Sequence, residues 1–115
     1  MCFILTNNDL TNYVKTGDFE YINTNITYSN SRLMSGGYRK ISNICFVAIS
    51  VYVTTDTVIG STLFTLPDAL FQQELNCIGS NNAHTLIRIL GNSVQTMEEV
   101  PEGRTLNISG IYISK

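Results

Sequence analysis

Apolar and polar residues alternate over short runs along most of the chain, and no run keeps the spacing of an amphipathic helix. Alternation with a period of two is typical of strands, because successive side chains point to opposite faces of a sheet. Turn-forming residues separate these runs at intervals of about 8 to 12 residues, the spacing typical of sandwiches and barrels. The pattern predicts an all-β protein of about seven to eight antiparallel strands, arranged as a β-sandwich or jelly roll.

The longest apolar run is "ICFVAISVYV", residues 44–53. Both of its alternating faces are largely apolar, so we expect this strand to be covered on both sides. The turn or bulge signals Gly36-Gly37 and Ser42-Asn43 precede it. The other runs predicted as strands are residues 18–28, 38–42, 58–66, 85–90, 93–100 and 104–115.

The stretch "VIGSTLFTLPDAL", residues 58–70, contains a predicted strand and its end. Gly60 predicts a bulge or a close backbone approach. Pro67 ends the strand, since it has no N–H for the ladder and keeps Leu66 extended, where Leu66 is expected to close the core. Residues 67–74 then form either one short helix, with Pro67 in its first turn, or an irregular loop.

The dipeptide Gly91-Asn92 is typical of a two-residue turn between hairpin strands. A further turn is predicted at Pro101-Glu102-Gly103. Together these signals divide residues 1–115 into strands of one domain, and a chain of this length buries one core. Residues 1–17 are expected to form an extended, linker-like lead-in to that domain.

Charged residues make up 14% of the chain and hydrophobic residues 43%, with a net charge of -2. Charged residues usually account for about 25%. The scattered basic residues and the acidic balance exclude the basic patch that nucleic-acid binding requires, so no nucleic-acid partner is expected. No apolar run reaches the roughly 18 residues that span a bilayer, so no membrane insertion is expected.

Three cysteines, Cys2, Cys45 and Cys77, are too few and too widely spaced for a disulfide framework or a zinc site. Cys45 lies inside the longest apolar run and is expected to be a buried small hydrophobic residue. The pattern indicates synthesis in a reducing compartment, with no metal and no cofactor.

The residues carry no motif for catalysis, so neither an enzyme nor catalytic residues are predicted. His84 is the single histidine, and nothing marks an acid or nucleophile that would complete a triad with it. Two carboxylates brought together by folding could still hydrolyse glycosides. The six tyrosines could contact sugars, although core or interface positions are the more usual role of tyrosine in strands.

Four stretches, in this order, resemble the C-terminal β-rich domains of bacteriophage tail-fibre and receptor-binding proteins, including related baseplate and minor structural proteins. They are "GGYRKISNICFVAISVYV" (36–53), "VIGSTLFTLPDAL" (58–70), "TLIRILGNSVQTM" (85–97) and "GRTLNISGIYISK" (103–115). The resemblance covers roughly residues 36–115. It departs at Ile41-Ser42-Asn43, where the family usually has a glycine before the asparagine, so the type of this turn stays open.

The resemblance implies a sandwich or jelly roll assembled as a homotrimer in the virion, at the tail or fibre tip, and made in the cytoplasm of the bacterial host. It implies binding of a host cell-surface polysaccharide or other glycan without catalysis. Two alternatives stay open. One is a fragment of a polysaccharide-degrading tail spike, and the other is a purely structural trimeric fibre module.

Loops presented by a rigid sheet usually carry recognition, so residues 54–57 and 80–84 are the candidate receptor-binding loops. The candidate binding residues are Thr55, Asp56, Asn81, Asn82 and His84. The candidate structural residues are Gly60, Leu66, Pro67, Gly91 and Asn92.

Overall fold

Seven antiparallel strands make up the regular structure of residues 21–115, the part of the chain that this computed structural model describes. The strands are β1 (Ser31–Ile41), β2 (Ile44–Val53), β3 (Thr62–Thr65), β4 (Gln73–Gly79), β5 (Ile87–Leu90), β6 (Ser93–Thr96) and β7 (Thr105–Ile113). They form one sheet in the order β1-β2-β7-β4-β5-β6-β3. The prediction of an all-β protein is confirmed.

The chain that leads into β1 nearly closes this sheet into a barrel. The backbone N–H of Ser29 donates to the carbonyl of Leu63 at 2.8 Å, and the N–H of Thr65 donates to the carbonyl of Thr27 at 3.0 Å. Segment 27–29 therefore pairs with β3, the strand at the opposite edge of the sheet. The result is a nearly closed, barrel-shaped sheet, which is not clearly a sandwich or a jelly roll.

Strand β4 joins two unlike parts of the sheet. Residues 73–75 pair with β5, and residues 76–79 pair with β7. On one side of β4 lie β7, β2 and β1, which have nine, ten and eleven residues, and we call them the long-strand half. On the other side lie β5, β6 and β3, with four residues each, which we call the short-strand half.

The inner face of the barrel is the core, and β2 shows why. Its alternate residues Cys45, Val47, Ile49, Val51 and Val53 are all buried, whereas the outward residues are half-buried, except for Ile44, which is exposed. The expectation that both faces of β2 are covered is therefore met only in part within residues 21–115. From the other strands the core receives chiefly Leu63, Phe64, Ile87, Ile89, Val94, Leu106, Ile108 and Tyr112.

Of the two alternatives predicted for residues 67–74, the irregular loop is confirmed up to residue 72 and the short helix is wrong. Within residues 21–115 the chain has no helix. The backbone N–H groups of residues 69 and 70 donate to neighbouring segments of the sheet and not to carbonyls of a preceding helical turn. Ala69 donates to the carbonyl of Gly91 at 2.8 Å, and Leu70 donates to that of Ile113 at 2.9 Å. The segment up to residue 72 is irregular, and β4 starts at Gln73.

The predicted strand at residues 58–66 starts later than expected, at Thr62. Gly60 does not form a bulge but lies in a tight turn before the strand, with φ at 87°. A side-chain carbon added there would meet no atom within 4 Å, so Gly60 is not a point of close approach either. The left-handed backbone conformation is what favours glycine at this position.

Leu66 and Pro67 have the roles predicted for the end of this strand. β3 ends at Thr65, and Leu66 is buried in the core. The carbonyl of Pro67 accepts a hydrogen bond from the Tyr112 hydroxyl at 2.7 Å, which ties the strand end to β7. Pro67, which follows the end of β3, therefore also links this end of the barrel to β7.

The predicted hairpin turn at Gly91-Asn92 is confirmed, because these two residues join β5 to β6. Gly91 has φ at 60°, as the first position of a type II′ turn requires. The turn at Ser42-Asn43 joins β1 to β2, also as predicted. Gly36 and Gly37, by contrast, lie inside β1, and the irregularity in that strand falls between Leu33 and Ser35.

The predicted lead-in at residues 1–17 and the first residues of the strand predicted at 18–28 lie outside the described residues. The rest of that strand is not regular. Ile22 and Tyr28 form single bridges to Tyr38 and Phe64. Residues 21–115 contain no helix with the length and apolar character needed to cross a bilayer.

Candidate functional site

The candidate site lies on the outer face of β4 and of the chain that pairs with β4, before and in β5. In β4 the residues Leu75 and Cys77 point inward and are buried, whereas Glu74, Asn76 and Ile78 are exposed. This burial follows from the alternation of apolar and polar residues in "QELNCIG". The outward residues of β4 therefore share one face with their partners on the returning chain.

Cross-strand pairing fixes those partners. Glu74 lies opposite Arg88, and Ile78 lies opposite His84. The Nε of Arg88 donates to the Oε1 of Gln95 on β6 at 2.9 Å, which holds the guanidinium against the sheet. A carboxylate and a cation thus stand side by side on adjacent strands, an arrangement that stabilises a sheet face.

An open cleft of about 380 Å³ lies on this face. It is lined by Glu74, Leu75, Asn76, His84, Leu86, Ile87, Met97 and Gly110. These residues come from β4, from the chain before and in β5, from the segment after β6 and from β7. Their meeting is a product of the fold and not of a local motif.

The polar side of the cleft is built from Glu74, Asn76 and His84. The Nε2 of His84 lies 3.4 Å from the Oδ1 of Asn76, and it donates in this contact when it carries the ring proton. All three side chains are exposed. They offer a carboxylate, an amide and an imidazole, which together can accept and donate several hydrogen bonds to one ligand.

The apolar side of the cleft is formed by Leu86 and Met97. Leu86 is exposed, and its carbonyl accepts a hydrogen bond from the N–H of Met97 at 2.8 Å, which holds the two residues next to each other. At Gly110, φ is 143°, and an added side-chain carbon would lie 3.3 Å from the Cδ2 of Leu75. A side chain at residue 110 would therefore press against Leu75, which also lines the cleft.

The five predicted binding residues divide between two places. His84 faces the cleft, whereas Asp56 and Asn81 lie beside the turn at residues 101–104. The Oδ1 of Asp56 accepts a hydrogen bond from the N–H of Glu102 at 2.7 Å. The fold therefore brings the two predicted loops to one end of the barrel, around this turn.

The remaining predicted residues lie at the tips of these loops. Asn82 is exposed and has φ at 61° in the turn that follows β4. Thr55 is exposed in the loop that follows β2. The Oδ1 of Asn81 accepts a hydrogen bond from the N–H of Ala83 at 3.2 Å, so its amide is partly used in shaping its own loop.

Glu74, Asn76, Leu86 and Met97 were not predicted from the sequence as site residues. The available signal was the alternation of exposed polar and buried apolar residues at 73–79. Both alternatives predicted for residues 67–74, a short helix and an irregular loop, missed the start of that strand at Gln73. Met97 carries no such signal, because its place in the cleft depends on pairing between chain segments far apart.

The two described cysteines, Cys45 and Cys77, are free and buried. Burial raises the pKa of Cys77 to about 12, and the negative charge of Glu98 contributes to the shift. Burial also raises the pKa of Cys45, against the opposing effects of a hydrogen bond with Tyr112 and the charge of Lys40. Neither thiol is a ready nucleophile near neutral pH.

Within residues 21–115, no group of three or more histidine, cysteine or acidic side chains is placed to hold a metal ion. A scan against protein-family models and searches of curated proteins and of solved structures gave no match to this chain.

Proposed function

We propose that this chain is the adhesion domain of a bacteriophage tail fibre or receptor-binding protein. It acts in the virion as a homotrimer and binds host cell-surface carbohydrate without catalysis. The carbohydrate occupies the cleft on the outer face of β4 and β5. The phage assignment rests on the sequence resemblance over residues 36–115, and the site assignment rests on the cleft.

The observation that carries the binding proposal is the pairing of polar and apolar groups within one open cleft. Glu74, Asn76 and His84 lie beside Leu86 and Met97. A sugar ring presents hydroxyls at its edge and C–H groups on its faces, so it needs hydrogen-bonding groups next to an apolar surface. Ligand sites in general combine an apolar lining with a few placed polar groups.

The residues that line the cleft favour the hypothesis of binding without hydrolysis. Glycosidases with paired carboxylates place them about 5 to 9.5 Å apart across the scissile bond. Among the described residues that line the cleft, Glu74 supplies the one carboxylate. We therefore propose that Glu74 accepts hydrogen bonds from sugar hydroxyls.

The proposed trimer rests on the sequence resemblance over residues 36–115. The sandwich or jelly roll implied by the resemblance is not required for this proposal. A nearly closed barrel holds its surface residues on rigid strands as well, and rigid elements position a binding site more accurately than loops do.

The test is binding of the full chain to an array of bacterial surface glycans, followed by calorimetry on the best oligosaccharide. His84→Ala and Asn76→Ala are expected to weaken binding at least about tenfold, as the loss of a hydrogen bond worth about 1.4 kcal/mol would do. Asn107→Ala is the matched control, since Asn107 is an exposed asparagine on the outer face of β7 outside the cleft.

Two further variants separate the cleft from the predicted loops. Thr55→Ala and Asn82→Gly change the loop tips, and the glycine preserves the left-handed backbone at residue 82. If these variants lose binding and the cleft variants keep it, the site lies in the loops. If the wild-type chain binds no glycan, the adhesion proposal is wrong.

A further inference from the structure

Four isoleucines form an exposed apolar surface at one end of the long-strand half, and we call it the isoleucine patch. Ile41 on β1 pairs with Ile44 on β2, and Ile44 pairs with Ile113 on β7. Ile111 lies two residues before Ile113 on the same face and is 61% exposed. Cross-strand partners share a face of the sheet, so these side chains are contiguous.

The isoleucine patch has a mainly basic border. Lys40 and Lys115 lie at this end of the barrel, where the Nζ of Lys40 donates to the carbonyl of Lys115 at 2.7 Å. Arg39 lies on β1 opposite Phe46, also on the outer face. Among residues 21–115, one acidic residue, Asp68, accompanies these three cations, through a backbone contact to Lys115.

A second exposed apolar surface lies at the opposite end of the barrel, in the turn before β3. Val58 and Ile59 are 64% and 66% exposed. Val58 lines an open depression together with the acidic residues Asp56 and Glu99. No cation is among the described residues that line this depression. We call Asp56, Val58, Ile59 and Glu99 the acidic patch.

The two surfaces complement each other and lie at opposite ends of the same strands. β2 starts at Ile44 in the isoleucine patch and ends at Val53, just before the loop that contains Asp56. One surface is apolar with cations, and the other is apolar with carboxylates. Such surfaces on one molecule suit contact between two copies, because apolar burial and charge complementarity then act together.

We propose that copies of this chain associate head to tail, with the isoleucine patch of one copy on the acidic patch of the next. A contact between two different surfaces of the same chain is heterologous, and it forms a closed ring when the rotation between copies allows it. This inference rests on the proposed homotrimer, for which it names the contacting surfaces. Ring closure at three copies would bury both patches on every subunit. Because the patches lie at opposite ends of the barrel, a contact that does not close would instead give an open filament, which would keep the head-to-tail contact and overturn the homotrimer.

Sedimentation velocity on the full chain tests the contact. Ile111→Asp and Ile59→Asp each place a charge in one patch, and each variant alone is expected to sediment as a monomer. Both positions are largely exposed, so the fold should tolerate the change, and circular dichroism checks this. Leu90→Asp is the matched control, because Leu90 is exposed but belongs to neither patch, and it should leave the trimer intact.

Mixing the two variants distinguishes a head-to-tail contact from a self-complementary one. Each Ile59→Asp copy keeps its isoleucine patch, and each Ile111→Asp copy keeps its acidic patch. At high concentration the mixture is therefore expected to give one-to-one dimers that grow no further. A trimer of Ile59→Asp alone would overturn the head-to-tail arrangement.

Charge exchange supplies an independent check. Lys115→Glu and Glu99→Lys should each weaken association about two- to fivefold, and the chain carrying both changes should recover, since opposite charges would again meet. A wild-type trimer that ignores all of these variants would overturn this inference alone. A wild-type monomer would overturn the proposed homotrimer as well, while glycan binding in the cleft is measured separately.

Discussion

The long-strand half and the short-strand half share one core but differ in what they present to solvent. β1, β2 and β7 run for nine to eleven residues with nearly continuous pairing. β3, β5 and β6 have four residues each. Much of the chain on that side is therefore loop or irregular segment.

In the proposed function, this difference separates a supporting part of the barrel from a binding part. Long paired strands hold the residues of the outer face in a fixed register. Short strands leave much of the neighbouring chain irregular, and the cleft lies where β4 meets the chain before and in β5 and the segment after β6. β4 lies between the two halves and pairs with a strand of each. It therefore couples the cleft to the most regular part of the barrel.

We expect the two halves to unfold together, because they share one core. Phe64 on β3 is fully buried, so Phe64→Ala should lower the free energy of unfolding by about 3–5 kcal/mol. Urea unfolding followed by circular dichroism and tyrosine fluorescence should show one transition. Leu90→Ala, at an exposed position of the same half, should change stability by less than about 0.5 kcal/mol. Two separate transitions would show that the halves are independent units.

The glycines of the two halves should differ in the cost of a side chain. Gly36 on β1 has φ at 81°, and an added side-chain carbon would overlap the carbonyl of Ala48 on β2. Gly91 has φ at 60° and no atom within 4 Å of that position. Gly36→Ala should therefore lower the free energy of unfolding by about 3 kcal/mol, and Gly91→Ala by about 1 kcal/mol. Equal effects in thermal unfolding would contradict the close packing assigned to β1 and β2.

The shared strand β4 should make the barrel sensitive to alkaline pH. Burial raises the pKa of Cys77 from 9.0 to about 12. Between these values the unfolded chain loses the thiol proton while the native chain retains it, so stability falls as the pH rises. This group should contribute up to about 1.4 kcal/mol per pH unit in that window and nothing below it. Urea titrations of the wild type and Cys77→Val isolate the contribution, and parallel curves would contradict it.

The smallest expected effect concerns the link between β7 and the segment that leads into β4. The Tyr112 hydroxyl donates to the carbonyl of Pro67 at 2.7 Å. Tyr112→Phe removes this bond and leaves a carbonyl without that donor, which should cost about 1 kcal/mol. Hydrogen exchange should show faster opening of residues 67–72 in this variant. Unchanged exchange there would mean that the hydroxyl does not hold the segment.

Local chemistry made part of the fold predictable from the sequence. The alternating run of β2, the turns at Ser42-Asn43 and Gly91-Asn92, and the strand end at Pro67 each depend on neighbouring residues only. The irregular segment at 67–72 was harder, because its N–H groups donate to carbonyls of Gly91 and Ile113. Nothing in the local sequence shows where those partners lie.

Neither the closure of the barrel nor the cleft could be predicted from the sequence, for the same reason. Closure depends on Ser29 meeting Leu63, and the cleft depends on Asn76, His84 and Met97 meeting across three segments. His84 could be predicted as a candidate because it is a single histidine beside a loop. Its neighbours could not, since their alternation fits any half-buried strand.

We propose that carbohydrate binds on the cleft face of β4 and not on the loops at the barrel end. The most direct measurement is an NMR titration of the labelled full chain with an oligosaccharide from bacterial surface polysaccharide that the array selects. We expect the largest amide shift changes at Asn76, His84, Leu86 and Gly110. We also expect the oligosaccharide to remain uncleaved after the titration. Shift changes confined to residues 54–57 and 80–82, or cleavage of the sugar, would contradict this proposal.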